Sequence, residues 1–538
     1  MGKIKNFINR VEENDIGFGL WLSAAFCVIF ARDFLENALS FNAVPRINSF
    51  HFLHFPVFFI SMLLAVIILL HIFSKTEIAK VSRIGLIFFA LIIVPMPVDY
   101  LISRFTGEDI SYLYIIDNVP KNFAVFLNPL VKIGSIPYGI RLEIALVMLL
   151  SMLYIFVKRR NIFVSLAGGC AVFLVCFFYI SIPALLIAGS KFLSALLPAL
   201  KLDPPTLTEI FTEGDLAQRR VSIIELVLAV FLAAVWFWRY SPEKFKALLG
   251  NLRFSRLAHY CMMVALGIGF SFFIMLDMPA EHFLLIRIIG IMCALFFAFQ
   301  FSVVTNDICD IECDKVSNCR RPLASGAMDT AGFLKAGMAY LAFALLFAFY
   351  VSDACFMLTL FFIVMYFLYS IPPFRLKRFF PVAPCIIGVQ ALVAFLLGYA
   401  SCSQGDVGFF VQAPVLWLIF LVFSLSANVK DLKDIQGDKI CAIPTLPVML
   451  GEEKARRTIG FLVFLSYLLV PIFLNRVLNV PPILYIFALV FGLKSYFHLA
   501  RKDSGERPIF YFYFIYALLL LIFLERSRII IIPLPLIK

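Results

Sequence analysis

The sequence predicts an all-α, polytopic membrane protein, and three observations carry that prediction. Of 538 residues, 62% are apolar and only 15% charged, where a soluble domain carries about 25% charge. Uncharged stretches follow one another at roughly 17–25 residues, the length a helix needs to cross about 30 Å of hydrocarbon. The remaining charges gather in short segments between those stretches. A net charge of +12 spread in this way reads as membrane topology rather than as a nucleic-acid-binding face, which needs basic residues on one continuous surface.

The opening segment holds Lys3, Lys5, Arg10, Glu12, Glu13 and Asp15 and has no small-residue cleavage site, so it reads as a retained cytoplasmic tail. Six spans follow, at 16–31, 51–73, 84–103, 138–157, 162–187 and 221–238. A basic stretch with Lys244, Lys246, Arg253 and Arg256 then separates them from nine more, at 259–278, 282–304, 331–351, 354–371, 380–400, 409–427, 458–474, 481–497 and 508–524. Two regions are therefore expected, 1–240 and 250–528. Polar residues between the spans of the first region, among them Arg32, Asp33, Arg46, Glu108 and Asp109, read as solvated loop charges.

Orientation follows from the loops. Those after the second, fourth, sixth and eighth of the nine spans hold Lys315, Arg320, Arg321, Arg375, Lys377, Arg378, Lys430, Lys433, Lys439, Lys454, Arg456, Arg457, Arg501, Lys502 and Arg507. The alternate loops hold essentially Arg476 alone. This asymmetry puts the first set, and the N-terminus with it, in the cytoplasm, at the inner membrane if the cell is bacterial.

Two of these loops carry the chemistry. Residues 306–314 read Asn-Asp-Ile-Cys-Asp-Ile-Glu-Cys-Asp and residues 428–439 read Asn-Val-Lys-Asp-Leu-Lys-Asp-Ile-Gln-Gly-Asp-Lys. Asp307, Asp310 and Asp314 repeat as Asp431, Asp434 and Asp438, each pair 124 residues apart. At i, i+3 and i+7 the three carboxylates of a loop share one helix face if the loop continues the preceding helix. Mg²⁺ takes one or two carboxylates and keeps phosphate oxygens and water in its other positions, so two facing clusters suit a metal-bound diphosphate. Ionising a carbon–oxygen bond to diphosphate needs the charge building on the leaving oxygens to be offset. Arg321, Arg375, Lys377, Lys430 and Lys439 are the basic residues placed to contribute.

These motifs resemble those of the UbiA superfamily of intramembrane prenyltransferases, Asn-Asp-x-x-Asp-x-x-x-Asp in one loop and Asp-x-x-Asp-x-x-Gly-Asp in another. Two further stretches, Tyr369 to Lys377 with its Pro372-Pro373 pair and Thr445 to Gly451, also look like the family, and the resemblance covers residues 250–525. It implies a nine-helix bundle for that region; the six additional spans of residues 1–240 depart from the family. By the resemblance, Asp307, Asp310, Asp314, Asp431, Asp434 and Asp438 hold Mg²⁺ and the diphosphate, with Asp310, Asp314, Asp434 and Asp438 as the catalytic carboxylates. It further implies that Asn306, Arg321, Arg375, Lys377 and Lys439 contact phosphates and that Tyr369 lines the cavity, with Lys430 beside the second cluster. The implied substrates are a prenyl diphosphate and a hydrophobic or aromatic acceptor within the bilayer. The stretch from Asp314 through Arg321-Pro-Leu-Ala-Ser-Gly326 looks more like the chlorophyll synthase, homogentisate and geranylgeranylglyceryl-phosphate branches than the hydroxybenzoate enzymes.

Two other readings stand beside this one. Phosphoribosyl transfer from a phosphosugar diphosphate to a prenyl phosphate would use the same metal site. A transporter would also show many spans and an internal repeat, but its polar site belongs near the bilayer midplane on broken helices.

Overall fold

The computed structural model describes residues 2–39, 49–106, 119–126, 137–196, 215–274, 284–402, 411–440, 442–477, 480–501 and 505–526. Among these there is helix, turn and no strand. Among the described residues thirteen helical stretches are long and apolar enough to cross a membrane. The chain is an all-α polytopic membrane protein, and its contacts divide it into one unit up to Pro242 and another from Glu243 onward.

The first unit opens with α1 (Gly2–Glu13) and α2 (Phe18–Leu39). The expected tail is thus a docked helix. Glu12 is buried and accepts hydrogen bonds from Tyr154 Oη at 2.8 Å and Lys158 Nζ at 2.6 Å. Next come α3 (Ser49–Ser74), α4 (Ile78–Phe89), α5 (Pro95–Thr106), α6 (Val119–Phe126), α7 (Tyr138–Arg159), α8 (Ile162–Leu196) and α9 (Asp215–Tyr240). The expected span 84–103 is two helices joined by a 3₁₀ turn, Ala90–Ile93. Pro95 supplies the reason, since it lacks an N–H and suits a first helical position.

The first expected span also ends later than its charges suggested. Arg32 and Asp33 lie within α2 and not in a loop, and Arg32 is only 6% exposed. Its guanidinium reaches Glu36 at 2.8 Å, one turn on, and sits 5.1 and 4.9 Å from the ring centroids of Phe55 and Phe59. A helix carries charge at such depth when the charge is partnered. Arg46, Glu108 and Asp109 lie outside the described residues.

The second unit holds α10 (Pro242–Gly250), α11 (Phe254–Ile274), α12 (Leu284–Cys309), α13 (Ile311–Ser317), α14 (Thr330–Val351), α15 (Asp353–Ser370), α16 (Val382–Cys402), α17 (Ala413–Ser426), α18 (Ile435–Ile440), α19 (Leu446–Leu450), α20 (Glu452–Leu474), α21 (Pro482–Leu499) and α22 (Arg507–Arg526). The expected spans at 259–278 and 508–524 fall in α11 and α22, which are not among the thirteen.

Local chemistry sets the joints. Asp329 caps α14 by accepting from the Gly332 N–H at 3.0 Å. Ser352 ends α14 in extended backbone and caps α15 through the Cys355 N–H at 3.1 Å. Helices α11 and α16 cross at two glycines. A Cβ on Gly267 would lie 2.0 Å from the Phe395 carbonyl oxygen, and one on Gly398 would lie 2.0 Å from that of Val264. Small residues permit this approach, which is how membrane helices gain packing without a hydrophobic drive.

Candidate active site

Both acidic motifs sit where helix gives way. Helix α12 carries Asn306 and Asp307 on its last turn, leaves helical geometry at Asp310 (φ −115°, ψ 17°) and resumes as α13, which carries Asp314. The second motif runs from a 3₁₀ turn, Ala427–Leu432, into α18. The first motif thus leaves its preceding helix before Asp310 and the second begins in a 3₁₀ turn, so the three carboxylates of each do not share one helix face. The break separates their fates.

Asp307 turns into protein. It is 1% exposed, forms an ion pair with Arg253, and accepts from Arg321 Nη1 at 3.1 Å and Asn251 Nδ2 at 2.9 Å. Asp310 lies at the break, 2.9 Å from Arg375 Nη2 and ion-paired with the buried Lys377. Arg375 has φ +39°, a left-handed backbone that side chains with a Cβ rarely adopt. That backbone sits in the turn after α15, from which its guanidinium and the ammonium of Lys377 reach the same carboxylate.

The two motifs meet through Asn318. Its Nδ2 lies 3.3 Å from Asp314 Oδ1 and 3.4 Å from Asp434 Oδ1. Arg321 pairs with Asp314 as well as with Asp307, which ties the carboxylate that lines the cavity to the one that does not. On the second motif, Asp438 accepts from Thr445 Oγ1 at 3.3 Å, and Lys430 Nζ donates to Tyr369 Oη at 2.7 Å with its ammonium 4.9 Å from that ring's centroid. Asn306 Oδ1 accepts from Ser370 Oγ at 3.2 Å.

These groups surround a cavity of about 240 Å³. Asp310, Asp314, Asp431, Asp434 and Asp438 line it, with Arg253, Arg256, Arg321, Lys377 and Lys430. The rest of the wall is largely aromatic and aliphatic, including Tyr260, Phe299, Tyr366, Tyr369, Ile387, Phe423, Val463 and Tyr513. Of the expected site residues, Asp307, Arg375 and Lys439 do not line the cavity, and Lys439 is exposed.

The donor set fits a hard divalent cation. Among the described residues no three acidic, His or Cys groups converge into a ready-made metal cage. Mg²⁺ does not need one, because it takes few carboxylates and completes its shell with phosphate and water. The charge balance points the same way. Burial pushes the Asp314 carboxyl up to about 6. Burial, together with the neighbouring Asp431 and Asp434, pushes Asp438 up to about 7. Carboxylates crowded out of water gain from a cation among them. Asn428 adds a carbonyl oxygen, buried in the cavity wall and without a hydrogen-bond partner among the described residues.

Sequence reasoning passed over Asn251, Arg253, Arg256, Asn318 and Asn428 as site residues. Arg253 and Arg256 stood in a basic stretch read only as a divider, and Asn318 lay inside the stretch that resembles the family. Their position beside the acidic motifs was the available signal.

The profile of the UbiA prenyltransferase family matches residues 262–519. Digeranylgeranylglyceryl phosphate synthase of Pyrococcus furiosus is 30% identical over 186 residues, 34% of this chain and 64% of that protein. Probable homogentisate phytyltransferase 2, chloroplastic, of Oryza sativa subsp. japonica is 34% identical over 173 residues, 30% of this chain and 43% of that one. The chain thus spans less than two thirds of the length of these relatives. A UbiA homolog from Archaeoglobus fulgidus, solved bound to DMAPP and Mg²⁺, aligns with 52% of this chain and 98% of its own at 18% identity and a TM-score of 0.41. The family match, to the UbiA prenyltransferase family, thus covers residues 262–519, just under half of this chain.

Proposed function

We propose that this chain transfers a prenyl group from a prenyl diphosphate to an aromatic or lipid-like acceptor within the membrane, in a Mg²⁺-dependent reaction at the cytoplasmic ends of its helices. One observation carries the reading. Two acidic motifs 124 residues apart face one cavity, joined by the Asn318 amide, and much of the remaining wall is aromatic and aliphatic. A diphosphate head and an apolar chain ask for those two surfaces together.

Asp310, Asp314, Asp431, Asp434 and Asp438 are the residues that would hold Mg²⁺, which when bound supplies charge to offset the leaving diphosphate. Asp307 we assign a positioning role, because its partners Arg253 and Arg321 are cations that themselves line the cavity. Arg321, Lys377 and Lys430 are placed to meet diphosphate oxygens as charge builds on them. Arg375 and Lys377 orient Asp310 between them. The rings of Tyr260, Phe299, Tyr366 and Tyr369 offer an apolar seat for the prenyl chain. Their faces tolerate positive charge developing on its first carbon, and the packed wall keeps water from that carbon. The new bond forms from the acceptor to that carbon as the carbon–oxygen bond to diphosphate breaks.

The relatives' names span a glycerophosphate lipid and an aromatic acceptor, which is why both classes stay in the reading. The basic loops on one side support the cytoplasmic placement. The experiment is diphosphate release by the purified full chain in nanodiscs, with geranylgeranyl diphosphate or phosphoribosyl diphosphate as donor. Mg²⁺-dependent release from the prenyl donor alone is expected; release from the sugar donor alone would overturn the assignment.

A further inference from the structure

The first unit has a cavity of its own, about 110 Å³, lined by residues of α2, α3, α4, α7 and α8. Its wall is apolar and rich in phenyl rings, with Phe55, Phe58, Phe59 and Phe88 among them, and of the described lining residues only Arg32 and Glu143 bring charge. Both charges sit inside helices read as spans. An ionisable residue at that depth is expensive and asks for a reason.

Arg32 has one within the protein, since Glu36 at 2.8 Å and Asp33 at 3.5 Å take its charge and two phenyl rings take its face. Glu143 has only the field of that same guanidinium. It is 9% exposed and lines the cavity, and among the described residues no hydrogen bond reaches its carboxyl group. Buried carboxylates are normally satisfied. Here the unmet acceptor faces open space bounded by hydrocarbon.

We propose that this cavity is a second ligand site, which takes an apolar molecule whose polar end, a hydroxyl or an ammonium, donates a hydrogen bond to Glu143. The charge around the cavity selects that class. The single guanidinium is already shared by two carboxylates, and Glu143 makes a third, so among the described residues a phosphate or diphosphate head meets no cation left for it. A donor head meets an acceptor, and the phenyl faces accommodate a cationic one. The body of such a molecule packs against Phe58, Phe88 and Val147. The inference stands apart from the transfer reaction and does not depend on it.

The test is photolabelling of the full chain in nanodiscs with a diazirine-bearing farnesol, the labelled residues read by mass spectrometry. Mg²⁺ and excess farnesyl diphosphate are present to occupy the acidic cavity. Labelling of α3 or α7 peptides is expected, competed by plain farnesol and reduced at least tenfold in Glu143→Leu. Val147→Phe fills the space without touching the polar group and is expected to lower it as far, so a folding defect at Glu143 alone cannot mimic the result. Labelling absent from these helices, or unchanged in Val147→Phe, or competed by farnesyl diphosphate as well as by farnesol, would overturn the proposal.

Discussion

Asn318 donates to Asp434 Oδ1 at 3.4 Å, a hydrogen bond that crosses 116 residues of sequence, and the same nitrogen lies 3.3 Å from Asp314 Oδ1. One neutral amide thus holds a carboxylate of each acidic motif. A hydrogen bond of this kind is worth about 1 kcal/mol, more when its acceptor is charged. Asn318→Ala is expected to raise KM for the prenyl diphosphate roughly tenfold, with a smaller change in kcat. Steady-state kinetics at saturating Mg²⁺ checks this, and an unaltered KM would show that the bridge does not organise the site.

Asp307 and Asp434 are expected to fail differently. Asp307 is buried between Arg253 and Arg321, so Asp307→Asn strands the Arg253 guanidinium, leaves Arg321 to Asp314 alone and destabilises the fold by about 3 kcal/mol. Asp434 has no such ion pair within 4 Å among the described residues and faces the cavity, so Asp434→Asn keeps the melting temperature and loses turnover. Thermal unfolding in detergent separates the two. Equal melting temperatures would remove the positioning role from Asp307.

Metal affinity should fall on acidification. A carboxylate binds a cation when ionised, and here Asp438 holds its proton up to about 7 and Asp314 up to about 6, both raised mainly by burial. As pH drops from 8 the competition from protons begins near 7 and deepens near 6, by up to roughly tenfold per unit for each group below its pKa. Mn²⁺ binding followed by electron paramagnetic resonance at pH 8 and pH 6 reads it directly. Affinity that does not weaken at pH 6 would contradict the placement of these two residues at the metal.

Lys430 and Tyr369 are joined at 2.7 Å. Removing the ammonium in Lys430→Met takes a cation from the diphosphate and is expected to cost about 10²-fold in kcat/KM. Tyr369→Phe leaves the ammonium in place and loses one hydrogen bond, a change of about fivefold. Comparable losses in the two variants would mean that Lys430 acts only through the tyrosine.

The sidedness read from the loops can be checked on Cys319, which is exposed in the segment after α13. In a background lacking other accessible cysteines, an impermeant maleimide should label Cys319 in inside-out vesicles and not in intact cells. The opposite pattern would place the acidic cavity outside.

The helices were legible in the sequence because apolar runs of membrane length admit one regular structure, and the acidic motifs because their 124-residue repeat is visible without coordinates. What stayed hidden is pairing at a distance. Nothing in the spacing shows that Arg253 neutralises Asp307 from 54 residues away, or that Arg375 and Lys377 reach Asp310 across more than 60. The helix break at Asp310, which turns Asp307 away from its two partners in the motif, has no local breaker such as Gly or Pro to announce it. Arg32 was assigned to a loop because a span was closed at its first charge, and a charge paired with Glu36 does not close a helix.

The most direct test of the central claim is transfer itself. The purified chain in nanodiscs receives Mg²⁺, radiolabelled geranylgeranyl diphosphate and a lipid extract as acceptor, beside Asp310→Ala and Asp434→Ala. The account predicts a labelled lipid product that requires Mg²⁺ and disappears in both variants, since each removes a carboxylate from a different motif of the same cavity. Product that persists in either variant, or forms equally well after chelation of the metal, would contradict it.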